Sequence, residues 1–112
     1  MRSQRFDLRA LPLFFGHVPA EEIGRTKPHP DPYLKTVEKL GLNSEACMVI
    51  EDSKNGILSA KDAGCVVVAI TTSFSRKELE EATADYTVES FAELASLLEL
   101  DADGANWLRE QM

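Results

Sequence analysis

The sequence predicts an α/β fold, a parallel sheet with flanking helices, on three observations. Two short runs, Cys47-Met48-Val49-Ile50 and Val66-Val67-Val68-Ala69-Ile70, are apolar at every position, as suits strands covered on both faces. Segments of helical spacing alternate with these runs, and Gly41 and Gly64 stop them. Ser75 with Glu78, and Ser90 with Glu93, form the Ser-x-x-Glu pattern that opens a helix. Strands separated by helices require crossover connections, and those make a sheet parallel.

In chain order, Leu11 to Val18 predicts a short strand near Phe14–Val18. Pro28 and Pro30 exclude helix from the loop that follows. Asp31-Pro32 starts a helix, with an N-cap acceptor and then proline at the first helical position. Leu34, Val37 and Leu40 continue it at helical spacing up to Gly41. The Cys47–Ile50 strand runs into Glu51-Asp52-Ser53, and a helix of about Asn55 to Ala63 follows. Gly56, Ala60 and Gly64 recur every four residues, a small-residue face that lets this helix lie close on a sheet. After the Val66–Ile70 strand come a helix at Arg76–Ala82, a strand at Tyr86–Val88 and a helix at Phe91–Leu98. Residues 1–100 are thus read as the domain. The last twelve are polar apart from Trp107, Leu108 and some alanine, and are expected to form a frayed tail.

A chain of 112 residues holds one domain, and area scaling lets roughly two thirds of its surface be buried. Hydrophobic residues make up 44% and charged residues 28%, an ordinary globular mix. No stretch reaches the about 18 apolar residues of a membrane span, and the N-terminus lacks a signal-peptide core, so the expected location is cytoplasmic. Lys and Arg number 12 against 19 Asp and Glu, a net charge of −7. Basic residues are not massed anywhere, which argues against a nucleic-acid groove. Cys47 and Cys65 each open an apolar run and are read as buried thiols, since their spacing suits neither a disulfide scaffold nor a zinc site.

Ligands of open parallel sheets bind outside the carboxyl ends of the strands, and Glu51 and Asp52 stand at such an end. Adjacent carboxylates repel and lose hydration, which a hard cation such as Mg²⁺ would offset. The same pair would also serve as an acidic turn at the positive end of the following helix. Lys27 lies among Pro28, Pro30 and Pro32. A lysine held by rigid neighbours is a fixed point charge for a phosphoryl oxygen or a carboxylate, although a solvated loop lysine has the same pattern. His29 reads as a loop residue and His17 as strand packing. There is no G-x-G-x-x-G and no P-loop.

Together, Lys27-Pro28-His29-Pro30-Asp31-Pro32-Tyr33-Leu34, then Val49-Ile50-Glu51-Asp52-Ser53-Lys54-Asn55-Gly56, then Ala60 and Ala63-Gly64, resemble the haloacid dehalogenase superfamily. More narrowly they are similar to its β-phosphoglucomutase and phosphoglycolate-phosphatase-like branch, from about Leu11 to Leu98. The resemblance implies a Rossmann-like sheet and phosphoryl transfer through an aspartyl-phosphate on small phosphorylated metabolites such as sugar phosphates. It implies that Lys27 steadies the nucleophile and the phosphoryl group. It makes Asp52 a Mg²⁺ ligand, with Glu51 assisting directly or through water. Ser53, Asn55 and Gly56 would shape the acidic turn.

The family's first motif, D-x-D-x-[TV], supplies the nucleophile, and nothing here matches it. Asp101-Ala102-Asp103-Gly104 has the letters but follows a helix at the wrong end of the chain. A second-motif strand and a substrate-selecting cap would both precede residue 1. The chain is therefore expected to be the C-terminal part of a longer core, inactive alone, with Mg²⁺ binding weak or absent. Without the two central strands, the Phe14–Val18 strand is expected to part from the sheet and leave Cys47–Ile50 as a bare edge. Such an edge pairs readily with a second copy, giving an edge-paired or swapped homodimer. A non-catalytic interaction module of the same fold is the main alternative. A receiver-like domain fits poorly, because the lysine precedes the acidic pair.

Overall fold

The computed structural model describes residues 11–16 and 29–112. Four strands form one parallel sheet in the order β1-β2-β3-β4: β1 at Leu13–Phe15, β2 at Met48–Glu51, β3 at Val66–Ile70 and β4 at Tyr86–Val88. Among the described residues five α-helices and a 3₁₀ turn at Ser44–Ala46 accompany them: α1 at Asp31–Lys39, α2 at Lys54–Asp62, α3 at Arg76–Glu81, α4 at Phe91–Leu97 and α5 at Ala102–Gln111.

Strand side chains alternate between faces, and the alternation divides the core in two. Met48, Ile50, Val66, Val68 and Ile70 meet α4 and α5 through Leu94, Ala95, Ala105 and Leu108. Cys47, Val49, Val67 and Ala69 face the other way, onto Tyr33 and Val37 of α1, Ile57 and Ala60 of α2, and Leu79 of α3. Every residue of β2 and β3 is buried, which is why, Glu51 apart, both strands are apolar throughout. The sequence places these elements to within one residue at most ends, since their boundaries carry chemical signals. Gly41 and Gly64 take left-handed backbone, φ +70° and +92°, which glycine adopts without cost. Ser75 and Glu78 make the full reciprocal capping box. Ser90 accepts from the Glu93 amide at 3.0 Å, but the Glu93 carboxylate reaches the Glu89 amide instead of Ser90.

Three expectations are corrected. Helix α1 begins one residue early, with Pro30 at the N-cap position and no side-chain cap, so Asp31 is its first residue and Pro32 its second, where a missing amide costs no intrahelical bond. Residues 101–112 are no frayed tail. Asp101 caps α5 by accepting from the Gly104 amide at 3.0 Å, and Ala105 and Leu108 enter the core. Two apolar residues three apart make a narrow stripe that composition hides. The third correction concerns the edge of β2. The N-terminal strand stays in the sheet, with Leu13, Phe14 and Phe15 in parallel register with Met48, Val49 and Ile50. It is β1 that covers β2, so the bare edge on which a homodimer was expected is occupied; the end of the expected strand, at residues 17 and 18, lies outside the described residues. No helix among the described residues is long and apolar enough to cross a membrane.

Cys47 and Cys65 are buried free thiols. Burial, aided by the neighbouring Cys47, pushes the Cys65 thiol up to about 11, and burial raises Cys47. An unfolded thiol releases its proton near 9.0. Between pH 9 and 11 the folded chain therefore holds a proton that the unfolded chain has lost, and stability falls as pH rises. Below pH 9 this contribution is fully present. Replacing Cys65 by alanine is expected to flatten that decline by up to about 1.4 kcal/mol per pH unit. Urea unfolding at pH 8, 9, 10 and 11 measures it, and an unchanged slope would assign the decline to other groups.

Candidate functional site

The acidic turn divides its two carboxylates between interior and surface. Glu51 ends β2 and is 1% exposed. Its Oε2 accepts a hydrogen bond from the Tyr33 hydroxyl of α1, and its Oε1 accepts from Ser53 Oγ at 3.4 Å. Burial first, then the Glu51 charge and hydrogen bond, push the Tyr33 phenol far above its usual range. The phenol thus keeps its proton and stays a donor. Two glycines make room for this carboxylate. A Cβ on Gly16 would lie 2.5 Å from Oε2, and one on Gly56 would overlap the carboxyl group itself.

Asp52 lies past the strand end and is half-exposed. Its Oδ2 accepts from Thr72 Oγ1 at 3.3 Å and from Ser73 Oγ at 3.4 Å. Both hydroxyls come from the turn after β3, which parallel pairing of β2 and β3 brings to the same end of the sheet. Ser53 caps α2, its Oγ accepting from the Gly56 amide at 3.0 Å, and Asn55 stands exposed in the first helical turn. Of the residues singled out from sequence, Glu51, Asp52, Ser53, Asn55 and Gly56 are therefore contiguous around one strand end. Lys27 and His17 lie outside the described residues. His29 is exposed, and its carbonyl accepts from Ser59 of α2 at 2.5 Å.

Sequence reasoning missed Tyr33, Ser59, Thr72 and Ser73. For the last two a signal existed: the rule that strand carboxyl ends assemble the site applies to Thr71-Thr72-Ser73 after Ile70 as much as to Glu51-Asp52 after Ile50. For Tyr33 and Ser59 no local pattern exists, because their partners lie 18 and 30 residues away.

As a cation site the turn is sparse. Among the described residues no group of three or more His, Cys, Asp or Glu gathers. Asp52 with two hydroxyls beside it is a hard oxygen donor set. Mg²⁺ accepts one or two carboxylates when water and phosphate oxygens fill its remaining positions. The residues therefore fit Mg²⁺ through Asp52, whereas the Glu51 carboxylate is enclosed by Tyr33, Gly16 and Gly56.

A buried parallel sheet with an acidic turn at its carboxyl end places the chain in the Rossmann-like α/β class, and comparison with known proteins narrows it. The model of the haloacid dehalogenase-like hydrolase family matches residues 7–70, more than half of the chain, which belongs to that family. Hexitol phosphatase A of Escherichia coli is 39% identical over 77 residues, covering 69% of this chain and 36% of that protein. Phosphoglycolate phosphatase of Pasteurella multocida is 33% identical over 88 residues, covering 78% of this chain and 39% of that protein. The crystal structure of a HAD family hydrolase from Deinococcus radiodurans, with bound phosphate and sodium, matches at a TM-score of 0.61 and 35% identity. It covers 68% of this chain and 36% of that one. The chain falls in the phosphatase and phosphomutase-like branch and spans a little over a third of the length of these relatives.

Proposed function

We propose that this chain carries the lysine and metal-binding half of a Mg²⁺-dependent phosphoryl-transfer site for small phosphorylated metabolites such as sugar phosphates. Asp52 would hold the cation, and Lys27 would anchor a phosphoryl oxygen as a fixed charge. A bound Mg²⁺ neutralises the charge that spreads over phosphoryl oxygens during transfer. Thr72 and Ser73 orient the Asp52 carboxylate, and the Ser53 cap and Gly56 keep the turn tight. The observation that carries the reading is the division of the acidic pair, one carboxylate enclosed and its neighbour turned outward at the strand end. The substrate class is supported by the names of the two phosphatases above.

No D-x-D-x-[TV] occurs in the sequence, so the chain by itself is expected to release no phosphate from a generic aryl phosphate ester in Mg²⁺. Calorimetric titration is expected to show weak, saturable Mg²⁺ binding that Asp52→Asn removes. Hydrolysis by the purified 112-residue chain that Asp52→Ala abolishes would overturn the inactivity. Mg²⁺ binding indifferent to Asp52→Asn would overturn the site.

A further inference from the structure

The two cysteines stand side by side across the sheet. Met48 pairs with Val66 in parallel register, and one residue earlier the same register sets Cys47 against Cys65. The Val66 amide donates to the Cys47 carbonyl oxygen at 2.9 Å. Neighbouring strands lie about 4.8 Å apart, inside the roughly 4.4–6.8 Å that separates the Cα atoms of disulfide-bonded cysteines. Both side chains enter the cluster that holds Val49, Val67 and Ile57, close enough for the Cys47 charge to raise the Cys65 thiol. Both are free thiols, and neither stands in mid-strand. Cys47 follows the turn at Ser44–Ala46, which has no buried residue, and Cys65 follows Gly64, whose backbone is left-handed. A turn with few buried contacts opens more readily than the strand it leads into.

We propose that Cys47 and Cys65 form a thiol redox pair, which a peroxide closes into a disulfide across the amino ends of β2 and β3. One thiol loses its proton, and its sulfur attacks a peroxide oxygen and breaks the O–O bond. That sulfur becomes a sulfenic acid, and the departing hydroxide takes up the proton as water. The second thiol then attacks the same sulfur. The S–S bond forms as the S–O bond breaks, and the hydroxide released takes the second proton as water. Two thiols thus give up two electrons, and the peroxide is reduced to two waters. Burial keeps both thiols protonated, so the pair reacts when the turn at Ser44–Ala46 opens, and the Lys61 charge then favours the Cys65 thiolate. The ring so closed contains β2, the Glu51-Asp52 turn and α2. Such a cross-link removes freedom chiefly from the unfolded chain. Oxidation therefore locks the unit that carries the acidic turn, from the end of β2 opposite Asp52.

The test treats the folded 112-residue chain with hydrogen peroxide, blocks the remaining thiols with iodoacetamide in denaturant, and maps the peptides by mass. The expected product is a peptide linking Cys47 to Cys65, lighter than its parts by two hydrogen atoms and separated by dithiothreitol. With dimedone present, the natural chain should give about tenfold less sulfenic-acid adduct than Cys47→Ala or Cys65→Ala, because the neighbouring thiol resolves the acid within the chain. If the alanine variants fail to fold, the peptide map of the natural chain decides alone. The oxidised chain should unfold at higher urea than the reduced chain, and an equal or lower midpoint would overturn the locking of the unit. Thiols that stay reduced in the folded chain but pair in urea, linkage only between chains, or oxidation that dithiothreitol does not reverse would each overturn the redox pair.

Discussion

Gly56→Ala is expected to destabilise the chain by about 3 kcal/mol, the opposite of what helix propensity predicts. Alanine gains roughly 1 kcal/mol over glycine inside a helix. Here, however, the new methyl would occupy the volume of the Glu51 carboxyl group. On its other side the carboxylate lies against Gly16, so close that a Cβ there would meet Oε2 at 2.5 Å, which leaves it little room to retreat. Moving it breaks the bond from Tyr33. Overpacking costs about 1–3 kcal/mol, and a buried charge that loses a donor costs about as much again, so the clash outweighs the propensity. Glu51→Ala should vacate the space, and adding Gly56→Ala to that variant should then be nearly neutral. A double-mutant cycle by urea unfolding should therefore show a coupling of about 2 kcal/mol or more. A stabilising Gly56→Ala in the natural chain would mean that the carboxylate is free to move.

That cluster shows where sequence reading stops. The runs at Cys47–Ile50 and Val66–Ile70 are legible because full burial demands apolar side chains at every position, a local and unambiguous signature. The Ser75–Glu78 cap and the glycine stops at 41 and 64 are legible because each satisfies a backbone requirement within a few residues. Glu51 is different. It is a charged residue in a strand otherwise apolar, and its spacing reads as half of an acidic pair. Its enclosure depends on Tyr33, Gly16 and Gly56, which only the folded chain brings together. The pairing of β1 with β2 is hidden for a similar reason. Three residues of strand carry little pattern, and which edge they choose is settled by the apolar surface left open there. Of the candidate site, the acidic turn was legible and its division was not.

The second large effect concerns the segment that composition presents as a tail. Leu108→Ala is expected to cost about 3 kcal/mol, within the range for truncating a fully buried leucine. Leu108 is wholly buried in the cluster that includes Met48, Ile50 and Leu94. A marginally stable domain has only about 5–15 kcal/mol in all. Deleting residues 101–112 should therefore leave the chain largely unfolded, because it uncovers the α4-side face of β2 and β3 as well as losing Leu108. The sequence holds one tryptophan, and Trp107 reports on this directly. Its ring meets Phe15 of β1 edge-on with centroids 5.9 Å apart, and the Arg109 guanidinium sits 5.3 Å above the Phe91 ring. The helix thus touches β1 and α4 together. In urea, Trp107 emission should shift in one transition that coincides with loss of far-ultraviolet ellipticity, and Leu108→Ala should move both to lower urea by the same amount. Trp107 is itself 49% exposed, so the coincidence of the two transitions is what decides: a tail that frays independently would show no fluorescence transition with the loss of ellipticity. Asp101→Ala, which removes only the cap, should shift the same joint transition by about 1 kcal/mol, a third as far as the core truncation.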